Sequence, residues 1–349
     1  MPDVHVTDVV IIGAGPVGLF GVFECGMLRM RCHVVDTLDA IGGQCTALYP
    51  EKPIYDIPGF PRVDAGELIA RLTEQAAPFR PVYHLGQTVT EVRDLDDGTL
   101  AVLLSGGACI VARAVIIAGG GGTLGPNKPP LPGIAGYEGR HVLYRVTRTE
   151  DLRGRRVVVA GGGDSAVDWA LALAGIAEQV MLVHRRAKFR AAPASVDALH
   201  AAERDGRLQL VAPYQLHALE GDGRTLRGVT VRTETGESRL LEADVLLALF
   251  GLATELGPIA NWNLALQHQQ IRVQPGTSET SRPGIYAAGD ITAYPGKLKL
   301  ILTGFAEIAA AAHHIFPRVH PGEVLHLEHS TTVGVPPIDK SAAIAEATA

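Results

Sequence analysis

Two glycine-rich segments carry the residues whose type and spacing speak most directly of chemistry. The first is Gly13-Ala14-Gly15-Pro16-Val17-Gly18, with Asp36 lying 23 residues after Gly13. The second is Gly161-Gly162-Gly163-Asp164-Ser165-Ala166, followed by His184-Arg185-Arg186 and then Arg190. Both have the GxGxxG/A spacing of a turn that brings backbone N–H groups to a pyrophosphate at a helix N-terminus. In such a turn Gly13 and Gly161 allow the sharp bend, and Gly15 and Gly163 the close approach of backbone to phosphate. Gly18 and Ala166 let helix pack on strand. The residues ending the next strand decide which ribose is read. Asp36 is placed to accept hydrogen bonds from ribose hydroxyls. Arg185, Arg186 and Arg190 present guanidinium forks that match the oxygens of a 2′-phosphate. The plain alternative for the arginines is a solvated basic loop. Acidic ribose chemistry first and basic second points to a tightly held FAD at the first turn and an exchangeable NADPH at the second.

Each turn needs a strand before it and a helix after it, and the chain supplies both. Asp8–Ile12 reads as an apolar-rich strand, a helix runs from the first turn to about Met27, and His33–Val35 is the next strand, ending in Asp36. Val157–Ala160 and Val180–Val183 play the same parts around the second turn. Gly66–Ala77 is expected to be helical, Gln87–Val111 a β-meander turning at Asp96-Asp97-Gly98, and Val115–Ala118 a buried strand. A second meander is expected over Leu208–Glu242, a closing strand at Asp244–Phe250, a strand at Gly284–Ala288, and a helix over Leu298–Phe316. The chain therefore runs the same sequence of elements twice, the second copy inserted in the first. The fold class is α/β: two Rossmann-like, three-layer ββα-type dinucleotide-binding domains. Residues 1–118 with 251–349 are expected to hold FAD, and residues 119–250 NADPH. The Pro/Gly-rich stretch Thr123–Gly133 marks a crossover between them, and the tail beyond about Val335 reads as frayed.

Composition narrows the function class. The chain has 349 residues, is 47% apolar and carries a net charge of −6, so no overall basic field favours nucleic acid or an anionic membrane. Cys25, Cys32, Cys45 and Cys109 form no CxxC and no zinc pattern, so no metal is expected and the thiols suit a reducing compartment. The N-terminus lacks a signal-peptide pattern, and the apolar stretch Leu300–Phe316 carries Glu307, His313 and His314, as a globular helix does and a membrane span does not. A cytoplasmic protein is expected.

The long loop opened by Ile41-Gly42-Gly43-Gln44-Cys45 offers Gln44 and Tyr49 to a flavin, though packing alone accounts equally well for Tyr49. The segments GAGPVG, IGGQCTALYPEKPIYDIPGFP, GGGDSAVDWAL, HRRAKFRA and AAGDITAYPGKLKLILTGFAE, with the tail HSTT, resemble the thioredoxin-reductase-like ferredoxin–NADP⁺ reductases over nearly the whole chain. The resemblance implies FAD contacts at Asp36, Gln44, Tyr49, Val89, Asp290 and Thr331. Tyr49 would stack on one flavin face and His329 on the other, and a homodimer is implied. Leu124 stands where many relatives have Phe, and Ala191–Ala194 departs from the histidine and acid common after FRA.

The implied reaction is hydride transfer from NADPH to flavin N5, then single electrons to ferredoxin, with no catalytic side-chain acid or base. Thioredoxin reductases carry a redox CxxC shortly before their second turn, but Leu143–Thr149 here has no cysteine. No second cysteine is placed to pair with Cys45 either. Flavodoxin or quinone reduction and NADPH oxidation are the alternatives on the same architecture. Lys297 and Lys299 read either as a solvated helix cap or as cations beside the flavin. With Lys52 and Lys128 they are also candidates for a basic patch that docks an acidic ferredoxin.

Overall fold

The apolar run after Asp8 becomes the middle strand of a five-stranded parallel sheet. The strand order is Ile285–Ala287, Ala114–Ile117, Val9–Ile12, Cys32–Val35, Val82–His84, and each neighbouring pair is parallel. Both faces of such a sheet are covered, so its strands read as near-continuous apolar runs. Val9 and Ile11 turn toward a core shared with Val22, Cys25, Ile308 and Ile315 from two helices. Val10, Val115 and Ile117 turn the opposite way, toward Val92, Leu100, Val102 and Ile110. Those four belong to an antiparallel meander, Val89–Asp94, Leu100–Leu104 and Cys109–Ala112, completed by Val4–Val6 running parallel to its last strand. The layers are helices, parallel sheet and antiparallel sheet. Helix Pro16–Met27 packs between Ala65–Ala76 and Ile301–Val319.

The computed structural model describes residues 3–325 and 334–335, and of residues 123–126 and 252–254 only the backbone. It divides into two compact units, Met1–Thr123 with Thr254–Ala349, and Leu124–Ala253. The second unit repeats the layers of the first. Its parallel sheet runs Val142–Leu143, Val245–Ala248, Arg156–Ala160, Gln179–Val183, Gln209–Val211. One face of it meets the meander Gln215–Gly221, Leu226–Arg232, Ser238–Glu242 through Val158, Met181 and Leu246 against Val229, Val231 and Leu241. Helix Asp164–Leu173 packs on the two central strands and on helix Pro193–Arg204. Among the described residues no helix is long and apolar enough to cross a membrane.

Several elements differ from the sequence expectation, among them these three. Gln209–Val211 does not open the second meander; it joins the parallel sheet beside Gln179–Val183, where Val211 is buried. Helix Pro193–Arg204 has already carried the chain across the sheet, so the next strand enters in parallel register. The last helix begins at Ile301, not Leu298: Leu300 is extended at φ −125°, and Lys297–Leu300 alternates charged and apolar residues as an extended segment does. Val4–Val6 carried no signal because its two valines face outward, 55% and 67% exposed.

Candidate functional site

The first glycine turn is shaped by two glycines that cannot be enlarged and one that is open. Gly13 donates its N–H to the Val35 carbonyl at 2.8 Å and sits at φ +112°, where a Cβ would collide with the Ala118 carbonyl. A Cβ on Gly18 would collide with the Gly13 carbonyl, whereas around Gly15 nothing lies within 4 Å of that position. Gly15 is also the N-cap of helix Pro16–Met27, which no side chain caps, so the first-turn N–H donors face an open cradle. Asp36 is buried beside this cradle. Its Oδ2 accepts the Ala14 N–H at 2.6 Å and its Oδ1 the Leu38 N–H at 2.9 Å, leaving lone pairs on both oxygens for hydroxyl donors. The Gln87 N–H donates to the Asp36 carbonyl at 3.0 Å and the Gly86 N–H to the Leu38 carbonyl at 2.8 Å. These bonds bring Val89, the buried first residue of its strand, to the same corner.

The loop after Asp36 closes over the turn. The Gly42 N–H donates to the Ala14 carbonyl at 2.9 Å, and a Cβ on Gly43 would lie 3.1 Å from the Gly15 Cα. Gln44 starts the short helix Gln44–Ala47, with its amide nitrogen against Gly120. Tyr49 is half-buried and donates its hydroxyl to the Cys45 sulfur. Burial pushes the Cys45 thiol up to about 11, and burial with the Cys45 contact holds the Tyr49 hydroxyl well above its usual range. Lys52 lies over the Tyr49 ring, 5.8 Å from its centroid. Asp290 is close enough to Tyr49 to act on it electrostatically. Burial raises the Asp290 carboxyl, and the charges of Lys297 and Lys299 oppose that rise.

The second turn has the same logic. A Cβ on Gly161 would lie 2.6 Å from the Leu249 carbonyl oxygen and 2.7 Å from the Ala166 Cβ, while Gly163 is open and caps helix Asp164–Leu173 without side-chain help. The basic loop folds back onto it: the Arg190 N–H donates to the Gly162 carbonyl at 2.7 Å, and the Ala192 N–H to Asp164 Oδ1 at 2.8 Å. Arg185, Arg186 and Arg190 are exposed, and among the described residues none of their side chains has a carboxylate partner. His184 packs on Phe189 with ring centroids 5.2 Å apart. Burial, with the three arginine charges adding to it, lowers its pKa against the pull of the Lys188 carbonyl.

The structure thus gathers Gly13, Gly15, Gly18, Asp36, Gln44, Tyr49, Val89 and Asp290 in the first unit. Gly161, Gly163, Ala166, Arg185, Arg186 and Arg190 gather in the second. His329 and Thr331 lie outside the described residues; Leu124, described in backbone only, opens the second unit. Lys297 does not stand on a surface patch. Its side chain is 6% exposed and pairs with Glu307, itself 8% exposed. Lys128 is paired with Glu138 at 2.8 Å. Glu307 is the residue that sequence reasoning missed: as one acid in an apolar helix, it showed only that the helix is not a membrane span. All four cysteines are free, and among the described residues no cluster of His, Cys, Asp or Glu has the geometry of a metal site.

Comparison with known proteins agrees with this geometry. Residues 7–314 match the family model described as pyridine nucleotide-disulphide oxidoreductase. The ferredoxin–NADP reductase of Paramagnetospirillum magneticum is 60% identical over 95% of this chain and 98% of its own. That of Rhodospirillum rubrum is 58% identical over 95% and 97%. Among solved structures, Lactococcus lactis thioredoxin reductase superposes with a TM-score of 0.78 over 90% of this chain and 99% of its own, at 24% identity, a likeness of fold. The chain therefore belongs to the pyridine nucleotide-disulphide oxidoreductase family, among its ferredoxin–NADP reductases.

Proposed function

We propose that this chain is a flavoprotein oxidoreductase that moves electrons between NADPH and ferredoxin through FAD. The observation that carries the reading is the opposite chemistry at the two ribose positions: a buried carboxylate at Asp36, and three exposed guanidinium groups at Arg185, Arg186 and Arg190 that have no carboxylate partner among the described residues. FAD belongs to the unit of Asp36 and NADPH to that of the arginines; the names of the relatives support the same pair of activities. Bound FAD would accept a hydride from NADPH and release electrons one at a time, chemistry that resides in the cofactor. The protein holds and orients. Gly15 and Gly163 admit phosphate to the first-turn N–H groups, and Asp36 accepts from ribose hydroxyls. Gln44, Tyr49, Val89 and Asp290 line the same unit, and His329 and Thr331 complete the assignment from the tail. The resemblance also carries a homodimer into the reading, and the pattern of scattered thiols a cytoplasmic location.

The free cysteines support direct transfer without a protein disulfide. The test is stopped-flow reduction of the purified protein by NADPH, followed by reoxidation with ferredoxin, flavodoxin and quinone in parallel. Fast reoxidation by ferredoxin is expected. Rapid turnover with flavodoxin or quinone and none with ferredoxin would replace the proposal with the corresponding reductase.

A further inference from the structure

We propose that Glu307 is a positioning residue of the flavin site: its buried carboxylate ties the Gly289–Asp290 turn, Tyr294 and Lys297 to the last helix. The inference rests on the reading of this unit as the FAD unit. Glu307 is the seventh residue of helix Ile301–Val319 and is 7% exposed. Its Oε2 accepts the Gly289 N–H at 2.7 Å, and its Oε1 accepts the Tyr294 hydroxyl and the Lys297 ammonium, each at 2.5 Å. Its main-chain carbonyl accepts from Ser278 Oγ at 3.0 Å. The residue is thus fixed at both ends.

Asp290 is the group this arrangement serves. Gly289 sits at φ +83°, and its carbonyl accepts from the Thr292 N–H at 3.1 Å and hydroxyl at 2.8 Å. With Glu307 on its N–H, Gly289, the residue before Asp290, is held at both its N–H and its carbonyl. The helix comes close at this point because residue 304 is glycine: a Cβ there would lie 3.3 Å from the Gly289 Cα and would collide with Val17, in the first turn of the nucleotide helix. Lys297 is the second link. A buried ammonium persists where a carboxylate pairs with it, and its charge favours the ionised form of Asp290. Without Glu307, Lys297 would turn its ammonium to water, and the Gly289 N–H would lose its acceptor.

The test uses the full-length protein and the variants Glu307→Gln, Lys297→Met, Tyr294→Phe and the Glu307→Gln/Lys297→Met pair. Folding is checked by circular dichroism. FAD affinity is measured by titrating the apoprotein with FAD, and the midpoint potential of bound FAD by photoreduction against dyes. Glu307→Gln has nearly the same volume and keeps one acceptor oxygen, for either the Gly289 N–H or the Tyr294 hydroxyl, so it is expected to fold. It should bind FAD roughly tenfold more weakly, the loss that accompanies one charge-assisted hydrogen bond. Glu307→Gln removes a negative charge and should raise the potential; Lys297→Met removes a positive one and should lower it. The double variant should return toward wild type, a pattern that simple loss of packing does not produce. Unchanged affinity and potential in folded Glu307→Gln overturn the proposal. Should that variant not fold, unchanged affinity and potential in both Tyr294→Phe and Lys297→Met overturn it. A wild-type protein that binds no FAD would instead overturn the reading of the unit.

Discussion

Arg185, Arg186 and Arg190 are exposed cations at the rim of an uncapped helix N-terminus, and their job is set by what they lack. An exposed arginine that already holds a carboxylate gains little from a second anion; these have none among the described residues. Each hydrogen bond to a phosphate is charge-assisted and contributes about 1.5–3 kcal/mol, or roughly tenfold to a hundredfold in affinity. Arg185→Ala and Arg190→Ala are therefore expected to raise the KM for NADPH by about that factor and to leave NADH nearly unchanged. Steady-state kinetics with both nucleotides checks this, and equal losses would mean that the arginines support folding. Cys45 makes the contrasting case. Its thiol is buried, pushed up to about 11, and engaged as the acceptor of the Tyr49 hydroxyl. Serine can take over that acceptor role. Cys45→Ser should keep most NADPH-dependent ferredoxin reduction, and iodoacetamide at pH 8 should leave Cys45 unmodified in the folded protein, as peptide mapping would show. Loss of turnover with flavin content intact would revive a thiol mechanism.

At the scale of elements, the strands near the N-terminus bring three histidines together. His33 Nδ1 lies 3.0 Å from His84 Nε2, and the His5 ring is 5.6 Å from that of His33 and 5.2 Å from that of His84. Asp3 pairs with His5 at 3.3 Å. Burial first, then the neighbouring His84, His5 and Arg31, lowers the pKa of His33 from 6.5 to about 4. A depressed folded-state pKa gives a definite sign. Above about pH 6.5 His33 is neutral in both states and the stabilisation is whole; between pH 6.5 and about 4 the unfolded chain takes up a proton that the folded chain refuses. Thermal stability should fall through that window, and His33→Gln should flatten the fall. A profile unchanged in the variant would assign the acid sensitivity to other groups.

The same elements show what a sequence can display. The two turns were legible because a pyrophosphate approaching backbone demands glycine at fixed spacing, and Gly13, Gly18 and Gly161 are held to that identity by contacts within their own units. The duplicated order of elements was legible because parallel strands buried on both faces leave continuous apolar runs such as Val9–Ile12 and Val157–Ala160. Glu307 was not legible. Its partners lie 10, 13 and 18 residues upstream across an irregular turn, and helical periodicity reports a face, not a partner. The start of the last helix was misplaced for a related reason: Leu298 and Leu300 continue an apolar pattern that the backbone does not follow until Ile301.

For the whole molecule the question is how a chain of net charge −6 receives a ferredoxin, typically an acidic protein. Attraction must then be local. Two of the four lysines first considered are committed: Lys297 is buried against Glu307 and Lys128 is paired with Glu138. Lys299 is exposed and acts on Asp290, and Lys52 lies over Tyr49 in the same unit. Of the four, Lys299 is the exposed cation beside the proposed flavin site. Such charges chiefly speed encounter, and their reach is about 8 Å at physiological salt. Ferredoxin-dependent cytochrome c reduction should therefore fall steeply from low to high salt, while ferricyanide reduction, which requires no docked protein, should follow a different profile. Lys299→Glu should lower the ferredoxin rate and flatten its salt dependence while leaving flavin reduction by NADPH unchanged in stopped flow. Lys297→Glu would set a second carboxylate against the buried Glu307, so it should reduce FAD content and ferricyanide turnover as well. If Lys299→Glu leaves the ferredoxin rate and its salt dependence as they are in the wild type, the docking surface lies away from this edge of the flavin unit.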